Sequence, residues 1–195
     1  MPMIRECIVT TIGAPGAVHI GAPGAVHIAP LGLIAAEDHW IIAPFRPSTT
    51  LENLRQVPFA VANWTDDVRI FAGCLTGRRD WPTCPASNVP VPRLVAALAH
   101  AELAVADVAE DSQRPRFRCR VVSEHNHRPF GGLNRAKAAV VEAAILTSRL
   151  HMLPRSKITS EIDYLKIAID KTAGPEEREA WDWLMERIAA HQASG

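Results

Sequence analysis

Ala43-Pro-Phe-Arg-Pro-Ser-Thr-Thr-Leu-Glu-Asn-Leu-Arg-Gln-Val-Pro-Phe-Ala-Val-Ala-Asn-Trp-Thr-Asp-Asp67 reads as strand, polar turn, short helix and strand. Its middle has the chemistry of an anion cradle. Arg46 offers a planar guanidinium fork, and Ser48, Thr49 and Thr50 set three hydroxyls beside the amides that open the next helical turn. The same residues also make an ordinary helix start, because Ser48-Thr-Thr-Leu-Glu52 nearly matches a capping box in either register. The two readings are compatible, since a capped N-terminus still projects N–H groups.

Working outward, Trp40-Ile-Ile-Ala43 is a strand that delivers the chain to the cradle, and the helix runs from about Thr50 to Gln56. Phe59-Ala-Val-Ala-Asn63 is a buried strand, Thr65-Asp-Asp67 a turn, and Val68-Arg-Ile-Phe-Ala-Gly-Cys74 another expected strand. Upstream, residues 4–11 form a first strand. Gly13-Ala-Pro-Gly-Ala-Val-His-Ile20 is then repeated without change as Gly21-Ala-Pro-Gly-Ala-Val-His-Ile28. Two such copies are too few and too short for a solenoid. They read as a tandem duplication in a hairpin, and its even length preserves the alternation of side chains. The second copy is expected to form the strand, because it runs directly into Ala29-Pro-Leu-Gly32 and Leu33-Ile-Ala-Ala36, leaving Gly13 to Ile20 as loop. The glycine spacing does not match a dinucleotide fingerprint, and no helix follows.

Downstream, Gly77 to Pro92 is a long proline-rich loop, a kind that is often functional. Arg93 to about His100 is expected to be a short helix and Glu102 to Ala109 a strand. In Arg116-Phe-Arg-Cys-Arg-Val121 the alternation turns Phe117, Cys119 and Val121 inward and Arg116, Arg118 and Arg120 outward. His125 and His127 are a second candidate for ligand contact, but spacing supplies no third ligand, so no metal site is assigned. Asn134 is an N-cap for a helix reaching about Leu150. A second helix spans about Ser160 to Thr172, and Pro175 opens a third bearing Trp181 and Trp183. Short strands joined by turns suggest an antiparallel barrel with an all-helical tail.

The chain has 195 residues, 21 basic and 21 acidic side chains and a formal net charge of zero. No broad field draws it to nucleic acid or to an anionic membrane, so neither partner is expected. The N-terminus does not resemble a secretory signal and no apolar run could span a bilayer, so a cytoplasmic location is expected. The four cysteines lie far apart with no C-x-x-C pair and read as packing thiols.

Trp40-Ile-Ile-Ala-Pro-Phe-Arg-Pro-Ser-Thr-Thr-Leu-Glu-Asn-Leu54, Phe59-Ala-Val-Ala-Asn63 and Thr65-Asp-Asp67 together resemble the FMN-binding split-barrel superfamily of flavin reductases. With Ile8-Val-Thr-Thr11, His27-Ile-Ala-Pro-Leu-Gly32 and Asn134-Arg-Ala-Lys137, the chain looks closest to an uncharacterised branch from methanogens and methanopterin-using bacteria. The order of the motifs carries the resemblance, which spans most of the chain.

The resemblance implies a split β-barrel over residues 1–130, a helical segment over 131–195 packed on the barrel or at a dimer interface, and a homodimer that binds FMN. The phosphate would sit against Arg46, Ser48, Thr49 and Thr50, with Asn53 nearby. Asn63 would meet the flavin ring or ribityl chain, although it is as readily a strand-end turn residue. Backbone groups of Ala29, Pro30, Leu31 and Gly32 would contact the ring. Arg135 and Lys137 would add charge near the phosphate, against the plainer reading of a solvated helix face.

Three functions stay open. The first is an FMN-dependent oxidoreductase using a nicotinamide or deazaflavin-type donor and an unnamed small-molecule substrate, set in methanopterin-linked one-carbon metabolism by the company the branch keeps. The second is a module that holds FMN for storage or sensing. The third is a ligand-free barrel whose tail mediates assembly. The flavin would carry the redox chemistry, so no catalytic side chain is assigned.

Overall fold

The computed structural model describes residues 2–14 and 25–193. In chain order the elements are β1 (Ile4–Ile12), β2 (Val26–Ala36), β3 (His39–Ile42), α1 (Thr49–Gln56), β4 (Phe59–Trp64) and α2 (Val68–Leu75). They continue with β5 (Thr83–Cys84), β6 (Arg93–Leu94), β7 (Ala99–Ala109), β8 (Arg116–Asn126), α3 (Arg135–Ser148), α4 (Arg155–Thr172) and α5 (Pro175–Ala193). They divide into two compact units, residues 1–65 with 81–129 and residues 66–80 with 130–195.

The first unit is a closed antiparallel barrel in the order β1-β2-β3-β8-β7-β4. Period-two alternation builds its interior. Cys7 and Val9, Leu33, Ile42, Ala60 and Ala62, Ala101 and Leu103, and Phe117 and Cys119 all turn inward, and Leu51 and Leu54 of α1 join them. The expected outward row of Arg116, Arg118 and Arg120 is exposed. β3 pairs only with Ile34–Ala36 of β2, so among the described residues no strand takes up the far edge of Ala29–Gly32.

The second copy of the duplicated octapeptide supplies the start of β2, where Ile12 pairs with Val26. The expected loop formed by the first copy lies, beyond Ala14, outside the described residues.

Four expectations change. Val68–Cys74 is not a strand but lies in α2, because a short apolar run suits a buried helix as well as a buried strand. Asp67 decides between them, its Oδ1 accepting from the Arg69 amide at 3.1 Å as an N-cap. The helical unit therefore takes in residues 66–80, which the expected division at residue 130 left in the barrel. Arg93–His100 is not a helix: Leu94 pairs with Thr83, and the Leu98 amide donates to Trp64 O at 2.8 Å. The helix expected from Ser160 begins earlier, at Arg155, directly after Pro154.

In the second unit α2, α3 and α5 pack through Val68, Ala72, Ala139, Val140, Ala143, Trp181 and Leu184. The small residues of α3 allow the close approach that their pattern predicts. Asn134 caps α3, its Oδ1 accepting from the Ala136 amide at 2.7 Å.

Candidate functional site

β3 ends at Ile42, and the next segment is pinned by the β7–β8 connection before α1 begins. The Arg46 amide donates to Gln113 O at 2.9 Å, and Arg114 donates twice to Ala43 O while lying 4.3 Å over the Phe45 ring. The Arg46-Pro47 peptide is cis. Ser48 is the N-cap of α1, its Oγ accepting from the Leu51 amide at 3.3 Å. The register beginning at Ser48 is the one used, which puts Glu52 one position past the capping-box site. The opening amides of Thr49 and Thr50 have no intrahelical acceptor.

A groove of about 450 Å³ opens here, lined by Arg46, Pro47, Ser48, Leu51, Glu52 and Arg55. Its electrostatics rest on a shared carboxylate. Arg46 donates to Glu110 Oε2 and to Asp111 O, and Arg55 reaches both Glu110 oxygens at 2.8 and 2.9 Å. The Asp111 carboxyl is held below its ordinary value by the Arg114 and Gln113 amides. A guanidinium and a hydroxyl thus line one concave surface beside the start of α1, a donor set that fits a phosphate.

The structure brings Arg46 and Ser48 to the groove and leaves Thr49 exposed beside it. Thr50 and Asn53 are buried and do not line it; Asn53 Nδ2 donates to Thr11 Oγ1 at 3.0 Å, tying α1 to β1. Asn63 is fully buried, with Nδ2 donating to Ile8 O and Val61 O and Oδ1 accepting from the Leu94 amide at 2.7 Å. Ala29, Pro30, Leu31 and Gly32 are partly exposed and form the middle of the β1–β2 ladder. A Cβ at position 32 would come 2.6 Å from Ile4 Cγ2, so a larger residue there would have to push the Ile4 side chain aside. In the helical unit, Lys137 is engaged by Asp66 at 2.6 Å.

A second polar cluster lies on the outer face of the barrel wall, under the proline-rich loop. Thr10, Asn63, His100 and Glu102 are all buried there, though each belongs to a strand whose neighbouring residues turn inward. The loop covers them and uses them. Ser87 and Asn88 amides donate to Glu102 at 2.8 and 2.6 Å, and Thr10 Oγ1 donates to Pro92 O at 2.6 Å. Val89 and Val91 pack on Val61 between these bonds.

His100 Nε2 lies 3.3 Å from Glu102 Oε1, and its Nδ1 lies 2.7 Å from His127 Nε2. The His100 and His127 rings are 6° from parallel with centroids 4.9 Å apart, which with so short an N···N distance puts them edge to edge. Burial lowers the His100 pKa and outweighs the opposing pull of Glu102. Burial would raise Glu102, but the Ser87 and Asn88 amides and His100 together hold it below its ordinary value. His127 is lowered as well, by burial and then by Arg93. The resting state is therefore a neutral His100 beside an ionised Glu102.

His100 and Glu102 escaped the sequence reading because the expected helix ended at His100. The signal was a polar pair two apart in an otherwise apolar strand, His100-Ala-Glu-Leu103. None of the four cysteines is in a disulfide, and burial raises the Cys7 and Cys119 thiols, as packing residues require.

Among solved structures the chain is similar to an FMN-bound protein, MM1853, from Methanosarcina mazei, at 19% identity over 96% of each chain with a TM-score of 0.79. It is similar over 65% of its length to the 2-nitrobenzoate 2-nitroreductase NbaA of Pseudomonas fluorescens, at 18% identity over 66% of that chain and a TM-score of 0.50. The flavin reductase HpaC, solved with NADP+, matches 65% of this chain and 81% of its own, at 15% identity and a TM-score of 0.52. These likenesses give the fold, the split barrel of the flavin reductases. No curated protein matches the sequence. A family model described as "Protein of unknown function (DUF447) N-terminal domain" covers residues 5–128, and a second, "Protein of unknown function (DUF447)", covers residues 134–186. Matched in this way through both the barrel and the helical segment, the chain belongs to the DUF447 family.

Proposed function

We propose that this protein binds FMN, with the phosphate in the groove at the start of α1, and works as a flavin-dependent oxidoreductase. The observation that carries the reading is that Arg46 and the N-cap Ser48 line one groove at the start of α1. The FMN-bound family relative of matching length supports it. Arg46 and Ser48 hold the phosphate, and Thr49 adds a hydroxyl at the groove's rim. The free backbone edge of Ala29–Gly32 offers N–H and C=O partners to a flat ring. Thr50, Asn53 and Asn63 act from behind, fixing the strands and the helix that present these groups.

When bound, the flavin supplies hydride transfer, between a nicotinamide or deazaflavin-type donor and a small-molecule acceptor. We place the protein as a homodimer in the cytoplasm, in the methanopterin-linked setting that its family resemblance implies.

The test is to purify the protein without added cofactor, identify any flavin released on denaturation, and titrate stripped protein with FMN. Near one-to-one FMN, lost in Arg46→Ala and Ser48→Ala, supports the assignment. Full affinity in both variants overturns the phosphate site. Anaerobic mixing with NADH, NADPH or a reduced deazaflavin then separates an enzyme from a flavin-holding module that none of these donors reduces.

A further inference from the structure

We propose that His100, Glu102 and His125 form a binding site for one divalent transition-metal ion of the zinc type, with coordination positions left open for water or a small anionic ligand. The site follows from strand geometry. His100 and Glu102 are two apart on β7 and share its outer face, and His125 stands directly opposite His100 in the β7–β8 ladder. Their candidate ligand atoms all lie within 4.8 Å of one another. His100 Nε2 and Glu102 Oε1 are 3.3 Å apart. Two atoms bound to one tetrahedral ion at about 2.0–2.2 Å are separated by roughly 3.3–3.6 Å, so this pair already has the spacing of co-ligands.

The surroundings have the features a metal site needs. Glu102 is oriented by the Ser87 and Asn88 amides, and His100 by His127 on its other ring nitrogen. Both inner ligands are buried, whereas His125 is exposed and leaves a way in from solvent. Metal binding requires a neutral imidazole and an ionised carboxylate, and burial and hydrogen bonding hold His100 and Glu102 in those states. Two imidazoles and a carboxylate suit zinc, iron(II), cobalt and nickel. Three protein ligands with vacant positions are the pattern of reactive metal sites, whereas closed structural sites use four.

The proposal is independent of flavin binding, because its readout is metal stoichiometry. The full-length protein is stripped with a chelator, dialysed, and titrated with zinc by calorimetry at neutral pH, with cobalt as a spectroscopic probe of coordination. One ion per chain is expected, with binding weakening as pH falls and protons compete for the imidazoles. Losing a supporting hydrogen bond to a ligand costs roughly 10–100-fold in affinity, so His125→Ala should cost at least about 100-fold. His125 is exposed, so this variant should keep the fold, which its melting curve verifies; Glu102→Gln is the second variant. No saturable binding in the wild type, or wild-type affinity in His125→Ala, would overturn the site.

Discussion

Arg46 and Arg55 close on the same carboxylate, Glu110, so the guanidinium best placed to hold a phosphate is already satisfied by an internal anion. A ligand phosphate must displace Glu110 or share Arg46 with it. Removing the competitor should therefore tighten FMN binding, and removing the arginine should weaken it. Exposed ion pairs are worth about 0.2–1 kcal/mol, so Glu110→Gln should raise affinity by up to roughly fivefold. Hydrogen bonds to a charged group are worth about 1.5–3 kcal/mol, so Arg46→Ala should lower affinity by roughly 10–100-fold. Fluorescence titration of flavin into stripped protein measures both.

Asn63 separates a structural role from a flavin contact. Its amide joins β1, β4 and β6, and Asn63→Ala leaves the buried Leu94 amide without its acceptor. A loss of about 2–4 kcal/mol in urea unfolding is expected. Unchanged stability with lost flavin affinity would instead make Asn63 a ligand contact.

Acid should destabilise the barrel in two stages. His100 has a folded pKa below the ordinary 6.5, so the unfolded chain takes the proton first. The stability tied to a neutral His100 is complete above the unfolded value and is lost as pH falls through the folded one. Glu102 has a folded pKa below 4.5, so its contribution is complete above that value and is lost on further acidification. Arg93 sharpens the first stage by opposing a charge on both His100 and His127. Melting temperature against pH should fall first below about 6.5 and again below about 4.5. His100→Asn should shrink the first fall and leave the part that the lowered His127 contributes.

The two tryptophans of α5 should respond differently. Trp181 is 6% exposed within the helical core, and Trp181→Ala should cost about 3–5 kcal/mol. Trp183 is only partly buried, with the Arg78 guanidinium 4.4 Å over its ring, and Trp183→Ala should cost about 1 kcal/mol. Denaturant midpoints of the two variants decide it.

The barrel was legible wherever a strand alternates. Phe117 and Cys119 could be turned inward, and the arginines between them outward, from spacing alone, and the Ser48 helix start could be read from its cap. Two stretches misled for physical reasons. Val68–Cys74 is a short and mostly apolar run with Arg69 inside it, too short for its pattern to separate a helix from a buried strand, so the cap at Asp67 decides. The segment after Pro92 is shaped by distant partners, Asn63 on Leu94 and Trp64 on Leu98, which no local pattern encodes. The cradle was visible because Arg46, Ser48 and Thr49 are neighbours in sequence. The His100–Glu102–His125 group was not, because it exists only once β7 and β8 are in register.

Glu102, Asn63 and Thr10 reach out of the barrel wall to hold a loop that has almost no regular structure of its own. Lifting that loop would break the bonds of Glu102, Asn63 and Thr10 to it together and expose Val61, Val89 and Val91 to water. Losing these bonds and apolar contacts at once makes separate opening of the loop costly, and loop and wall are expected to open together. The amide protons of Ser87, Asn88 and Leu94 should accordingly exchange with deuterium as slowly as those of β1 and β4, and what looks like a connecting loop behaves as one more stave of the barrel.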